Sequence, residues 1–233
     1  MNEAAAGIAS SKRKIPVILL PTGTSNDFAA ALGLPPGDDA FCDMIDSWHA
    51  QPADLGLVNG VRYFANVAAG GLLTDVAHET SPELKRVLGR AAYYLESLRK
   101  LPSLAPFRLR IESAEYTGES ELYIFLVSNG TSSGGFRLLA PKADYHDGYL
   151  DCLLIKMTDI RGLIPLVLST LSGAHTNNPN VIYFQTKKVS IYPAESRAEA
   201  MALDVDGEYA CKLPVTIEVV THGFSIIVPP PVQ

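Results

Sequence analysis

The sequence predicts a mixed α+β fold: a partial α/β unit at the N-terminal end and a larger antiparallel β-sandwich after it. Three observations lead there. A continuous apolar run bounded by prolines, Ile15–Leu20, sits among helical patterns and reads as a strand buried on both faces, as in a parallel sheet. From Asp54 onward, short strands separated by Gly, Asn and Asp turns dominate, with few helical stretches among them. Finally, 47% hydrophobic residues against 19% charged is too apolar for disorder and ample for a sizeable core.

Taken in order, residues 1–11 are Ala-rich and helical, Ile15–Leu20 is the buried strand, Phe28–Leu32 is a short helix stopped by Gly33, and Ala40–Trp48 is another. Leu55–Val58, then Asn59-Gly60, then Val61–Ala68 form a hairpin, because Asn-Gly tolerates the positive φ that a type I′ turn demands at both central residues. Ser81-Pro82-Glu83 is a helix start, and the apolar spacing from Leu84 to Leu101 continues that helix. Strands follow at Phe107–Ile111, Leu122–Val127, Tyr149–Ile155, Val181–Phe184 and Val189–Tyr192, interrupted by one helix near Ile160–Leu171. Met201, Leu203 and Val205 alternate with Ala202, Asp204 and Asp206, which puts both acids on the polar face of a strand, either wet or facing a cleft, and a turn at Asp206-Gly207 would place Glu208 close by. Val215, Ile217 and Val219 alternate likewise, and Phe224–Val228 reads as one more strand. The expected division is residues 1–53, joined by 219–233, against a sandwich over 54–218.

Charge and cysteines narrow the function classes. With 25 acidic and 19 basic residues the chain carries −6, without the basic stripe of a nucleic-acid binder. No apolar run approaches the roughly 18 residues of a membrane helix, and the N-terminus lacks the apolar core of a secretory signal. Cys42, Cys152 and Cys211 are odd in number and form no CxxC, so the sequence reads as a reduced, cytosolic protein without a zinc site.

Four segments carry residues suited to chemistry. PTGTSND at 21–27 lies between the buried strand and a helix: Gly23 admits a close ligand, Thr24, Ser25 and Asn26 offer short polar groups, and the helix start at Asp27 suits phosphate, although an ordinary capped βα turn has the same composition. Asp144 and Asp147, with Gly148-Tyr149 after them, offer hard oxygen ligands for Mg²⁺ or Ca²⁺, or else a plain Asp-Gly turn. Asp204-Val-Asp206-Gly207-Glu208 groups carboxylates that can raise one another's pKa to make a general base or can hold Mg²⁺ against a nucleotide; solvated acids at a turn are the alternative. Asn129–Gly135 is a glycine-rich loop after a buried strand, able to line a cleft. The basic groups Lys12–Lys14 and Lys85-Arg86 are too few to anchor the chain to anionic lipid by charge alone.

In this order and spacing, PTGTSNDFA (21–29), DLGLVNGVRYFANVAAGG (54–71), NGTSSGGF (129–136), PKADYHDGYLD (141–151) and DVDGEY (204–209) resemble the bacterial diacylglycerol kinase-like lipid kinases, relatives of the sphingosine and NAD kinases. The resemblance implies a two-domain kinase with its active site between an α/β nucleotide-binding domain and a β-sandwich. It implies that Gly23, Thr24, Asn26 and Asp27 contact ATP and that Asp206 or Glu208 takes the proton from a lipid hydroxyl. It also implies that Asp144, Asp147 and the backbone carbonyl of Tyr149 hold Mg²⁺, and that the substrate is diacylglycerol or a similar lipid alcohol. The expected setting is cytoplasmic, in peripheral contact with the inner face of the membrane, without nucleic acid, and with a homodimer covering the exposed edge of the α/β sheet.

One departure shapes these expectations. The family's GGDGT phosphate loop is absent, and Met1-Asn2-Glu3-Ala4 matches the residues that follow it. The chain alone is therefore expected to bind ATP poorly and to transfer phosphate weakly or not at all. Two other readings stand beside the lipid kinase: a non-catalytic module that binds lipid or a partner, and a kinase of a soluble small molecule.

Overall fold

The structure, a computed structural model, describes residues 2–11, 15–23, 26–35, 37–71, 106–133, 138–158, 162, 165–166, 169–170 and 172–231. Three helices come first: α1 (Asn2–Ala9), α2 (Asp27–Ala31) and α3 (Asp38–Ser47). Eleven strands follow among the described residues: β1 (Ala50–Val58), β2 (Arg62–Phe64), β3 (Val67–Gly71), β4 (Phe107–Ser113), β5 (Thr117–Ser128), β6 (Leu150–Lys156), β7 (Val181–Thr186), β8 (Lys188–Pro193), β9 (Ala202–Val205), β10 (Glu208–Lys212) and β11 (Val215–Ile227). The helix expected over 82–101 and most of that expected near 160–171 lie outside the described residues. No described helix is long and apolar enough to cross a membrane.

The strands pair antiparallel in the order β10-β9-β3-β5-β4-β8-β11-β1-β2, with β6 and β7 branching from β5. The branch exists because β5 is twelve residues long: Thr117–Leu122 pairs with β4, while its later residues pair with both β3 and β6. The ends of the series face each other through Arg62 on β2 and Glu208 on β10, 2.7 Å apart, so the sheet folds back into a sandwich. Its interior holds one large apolar cluster that includes Leu109, Ile111, Phe125, Leu153, Ile191, Leu203 and Ile217. A second cluster gathers Phe28, Leu34 and Met44 from the first fifty residues with Ala53, Leu55, Ala65, Tyr145, Phe224 and Ile226.

The Asn-Gly hairpin forms as expected, with Asn59 at φ 49° and Gly60 at φ 71°. Three expectations need correction. The run Ile15–Leu20 is not buried on both faces: Val17 makes a single parallel bridge to Ile226, and Ile15 and Leu20 are 58% and 61% exposed. Val17 and Leu19 alone turn into the second cluster, because β11 is the only described partner beside them. The returning hairpin strand breaks at Ala65-Asn66, where backbone amides leave the ladder for the Asp206 carboxylate. The turn expected at Asp206-Gly207 forms, and Asp204, on the face expected to be wet or turned to a cleft, is 8% exposed. Phe224–Val228 is not a separate strand, since its first residues complete β11. That strand keeps pairing with β1 across a bulge, in which Asp54 alone faces Thr221–Gly223.

Candidate functional site

The acidic segment closes the β9–β10 hairpin. Asp206 and Gly207 are its two loop residues, at φ 50° and 88°, the positive values a two-residue turn requires. This turn aims the part-buried Asp206 carboxylate at the corner between β2 and β3. Oδ2 accepts the Ala65 N–H at 2.8 Å, and Oδ1 accepts those of Asn66 and Val67 at 2.9 and 3.0 Å. The Asp206 N–H donates in turn to the Val67 carbonyl. Burial pushes Asp206 above the usual carboxylate range, while the three amide donors hold against that rise. Glu208 is different in kind. Its side chain is 63% exposed and pairs with the Arg62 guanidinium.

A buried polar frame stands behind the corner. Asn129, fully buried after β5, donates from Nδ2 to the carbonyls of Asp54 and Ala65 and from its backbone N–H to Asn66. Asp54, also fully buried, accepts the Gly148 N–H on one carboxylate oxygen and the His222 N–H on the other, each at 2.8 Å. A buried carboxylate is tolerated when such donors satisfy it. Through Asp54 the corner under Asp206 is joined to the loop carrying Asp144 and Asp147.

In that loop, Asp144 Oδ1 accepts from the His146 backbone N–H and contacts its Nδ1 at 2.8 Å, and Asp147 accepts from the Tyr149 N–H and from Gln185 Nε2. Burial first, and then the charges of Asp144 and Asp54, push Asp147 upward, and the Tyr149 N–H pulls it back. Next to it, Asp151 receives hydrogen bonds from the Tyr183 hydroxyl and Gln185, and burial raises it to about 6. Among the described residues, no three His, Cys, Asp or Glu side chains group as a metal set. The oxygens of Asp144, Asp147 and the Tyr149 carbonyl nonetheless suit a hard cation, since mutually repelling carboxylates are what such an ion relieves.

In the PTGTSND loop, Thr24 and Ser25 lie outside the described residues. Asn26 adopts φ 49° and its Nδ2 donates back to the Pro21 carbonyl at 3.2 Å, which ties Asn26 to the start of the loop. Helix α2 spans five residues, too short for the strong dipole assumed for phosphate binding. Helix α2 approaches the acidic turn through aromatic packing: the ring of Phe28 meets that of the buried Tyr145 edge-on at 4.6 Å, and Tyr145 in turn donates its hydroxyl to Asn66 at the corner that seats Asp206.

The structure thus joins Phe28 of α2 to the Asp206 corner through Tyr145, sets Glu208 at the exposed rim, and links the loop of Asp144 and Asp147 to them through Asp54. Sequence reasoning missed Asp54, Arg62, Asn66 and Tyr145, and singled out Asn129 only as the start of a loop able to line a cleft. Asn129 carried a usable signal, as an Asn-Gly pair that ends a long apolar strand, whereas Tyr145 looked like one loop aromatic among ten tyrosines.

The profile described as YegS C-terminal NAD kinase beta sandwich-like domain matches residues 66–228, and that of the diacylglycerol kinase catalytic domain matches residues 1–58. The chain is 37% identical over 215 residues to a diacylglycerol kinase of Bacillus subtilis, covering 92% of this chain and 69% of that protein. It is 34% identical over 233 residues to a diacylglycerol kinase of Staphylococcus carnosus, covering 100% and 74%. A crystal structure of a diacylglycerol kinase from Bacillus anthracis superposes with a TM-score of 0.77 at 27% identity, covering 98% of this chain and 74% of the other.

Proposed function

Because the chain belongs to the bacterial diacylglycerol kinase-like lipid kinase family, we propose that it moves the γ-phosphoryl group of ATP to the hydroxyl of diacylglycerol or a similar lipid alcohol. One observation carries the reading: three backbone N–H groups of Ala65–Val67 seat the Asp206 carboxylate, which joins two of the family's motifs at a corner that Tyr145 ties to Phe28 of α2.

On this reading the two acids divide the work. Asp206 has its oxygens committed to amides and fixes the turn. Glu208, exposed and steadied by Arg62, takes the proton from the lipid hydroxyl. That oxygen then bonds to the γ-phosphorus as the bond to the bridging oxygen of ADP breaks. Transfer of this kind depends on positioning and charge neutralisation more than on covalent help from the protein. Gly23, Thr24, Asn26 and Asp27 line the nucleotide side, on residues 1–53 with 219–233, and the sandwich of 54–218 supplies the acceptor side. Asp144, Asp147 and the Tyr149 carbonyl would hold Mg²⁺, which supplies positive charge that pins the loop joined to Asp54. A lipid substrate implies peripheral contact with the cytoplasmic face of a membrane. A homodimer covering Ile15, Ile18 and Leu20 belongs to the same reading; a single 25.1 kDa species in light scattering would refute it.

With no GGDGT sequence among the 233 residues, fewer amides are at hand for the triphosphate, so slow transfer is expected. The test is phosphatidic acid formation from radiolabelled ATP and diacylglycerol in detergent micelles, at millimolar Mg-ATP. Slow transfer that disappears in Glu208→Gln supports the reading. Transfer that survives that change, a preference for soluble alcohols, or no product at all overturns it.

A further inference from the structure

Tyr145 lies between the acidic turn and helix α2, and no part of the reaction as described above uses it. Its surroundings determine what its hydroxyl does. The Asn66 side chain is clamped at both ends: Nδ2 donates to the Ser132 carbonyl at 2.8 Å, and Oδ1 receives the Tyr145 hydroxyl at 2.8 Å. A carbonyl can only accept, so the amide orientation is forced and the phenol must be the donor.

Tyr145 is itself held on three sides. Its carbonyl accepts the Asp54 N–H at 2.7 Å, and its ring meets Phe28 of α2 edge-on at 4.6 Å. Gly130 leaves the space the phenol occupies: a Cβ there would run into the Tyr145 hydroxyl and ring. Asn66 is equally engaged, since its backbone N–H is the middle donor to Asp206 and its carbonyl accepts from the Asn129 N–H.

We propose that Tyr145 is a positioning residue of the phosphoryl-transfer site, whose hydroxyl locks the Asn66 amide and so holds the Ala65–Val67 corner, and Asp206 on it, in register with α2. This rests on the reading of Asp206 as part of a kinase site. The same ring that fixes Asn66 packs edge-on against Phe28, the residue after Asp27, so the start of α2 and the acidic turn share one anchor.

The test is Tyr145→Phe, which keeps the ring on Phe28 and removes only the hydroxyl, in the full 233-residue protein. Amide hydrogen exchange resolved by residue is the first readout. Exchange at Ala65, Asn66 and Val67 should quicken about tenfold, the equivalent of one lost buried hydrogen bond. Exchange at Leu109, Ile111 and Ile191 in the sandwich core should stay within about twofold. In an Asn66→Ala background, Tyr145→Phe should add less than about twofold, because the partner is already gone. No change at the corner, an equal rise throughout the sandwich, or the same effect with and without Asn66 would overturn the proposal. The second readout is kinetic: Tyr145→Phe lowers kcat about tenfold with KM for Mg-ATP within about twofold. A lowered kcat/KM arising from KM alone would also overturn it. If the unaltered chain transfers no phosphate, the kinase reading falls, while the exchange cycle still decides the role of Tyr145.

Discussion

Asp206 and Glu208 are two residues apart, yet the structure assigns them opposite sensitivities, and conservative substitutions should separate them. In Asp206→Asn, Oδ1 can still accept from Asn66 and Val67, but an NH₂ now meets the Ala65 N–H that donated to Oδ2. One buried donor loses its partner, at a cost of about 1–3 kcal/mol. Asp206→Ala abandons all three donors and costs about 3–5 kcal/mol. For a chain of this size 1 kcal/mol moves Tm by about 2–4 °C, so Asn lowers Tm by about 2–12 °C and Ala by about 6–20 °C. Glu208→Gln breaks only a solvent-exposed ion pair with Arg62 and leaves stability within about 0.5 kcal/mol. Thermal unfolding of the three variants, followed by calorimetry, reads this directly. An Asp206→Asn protein as stable as the parent, or a Glu208→Gln protein less stable than Asp206→Asn, would refute the division of roles.

Two further outcomes follow from the buried polar groups. Asp151 has a native pKa raised by burial to about 6, above its unfolded value, so the folded state binds the extra proton between about pH 4 and 6. Its stabilising effect is complete below about pH 4 and is lost as pH rises through 6, by about 1–3 kcal/mol, so urea unfolding in chelator-containing buffer should show Asp151→Asn losing less stability than the parent over that interval. An unchanged pH dependence in the variant would reject this. Gly130→Ala drives a Cβ into the Tyr145 phenol and should destabilise by about 1–3 kcal/mol. Tyr145→Leu in the same chain should recover part of that loss; a fully stable single variant would contradict the packing.

Much of the β-rich portion was legible because its strands follow local rules. Leu109 and Ile111 alternate with the exposed Arg108 and Arg110, and Asn59-Gly60 dictates its own turn. What was illegible depends on partners distant in the chain. Nothing around Ala65-Asn66 announces a break, because the break answers to a carboxylate about 140 residues away. The continuity of β11 through His222 depends on Asp54 supplying an acceptor to the bulge. Ile15–Leu20 has the composition of a buried strand, but burial is decided by what lies beside it. The acidic turn was found by its residue types, whereas its setting was not. Period-two alternation put Asp204 and Asp206 on a polar face and Asp206-Gly207 announced a turn, but nothing local announced the three amides of Ala65–Val67 that this turn meets. Tyr145 and Asn129 matter through hydrogen bonds that no spacing rule foresees.

The central claim is that the PTGTSND loop and the acidic turn serve one bound triphosphate. Titrating the ¹⁵N-labelled 233-residue protein with Mg-ATP tests it most directly. The account predicts that the amides of Gly23, Asp27, Gly207 and Glu208 shift together along a single binding curve while those of β4 and β8 remain still. Shifts confined to one of the two segments, or two curves with different midpoints, would contradict it.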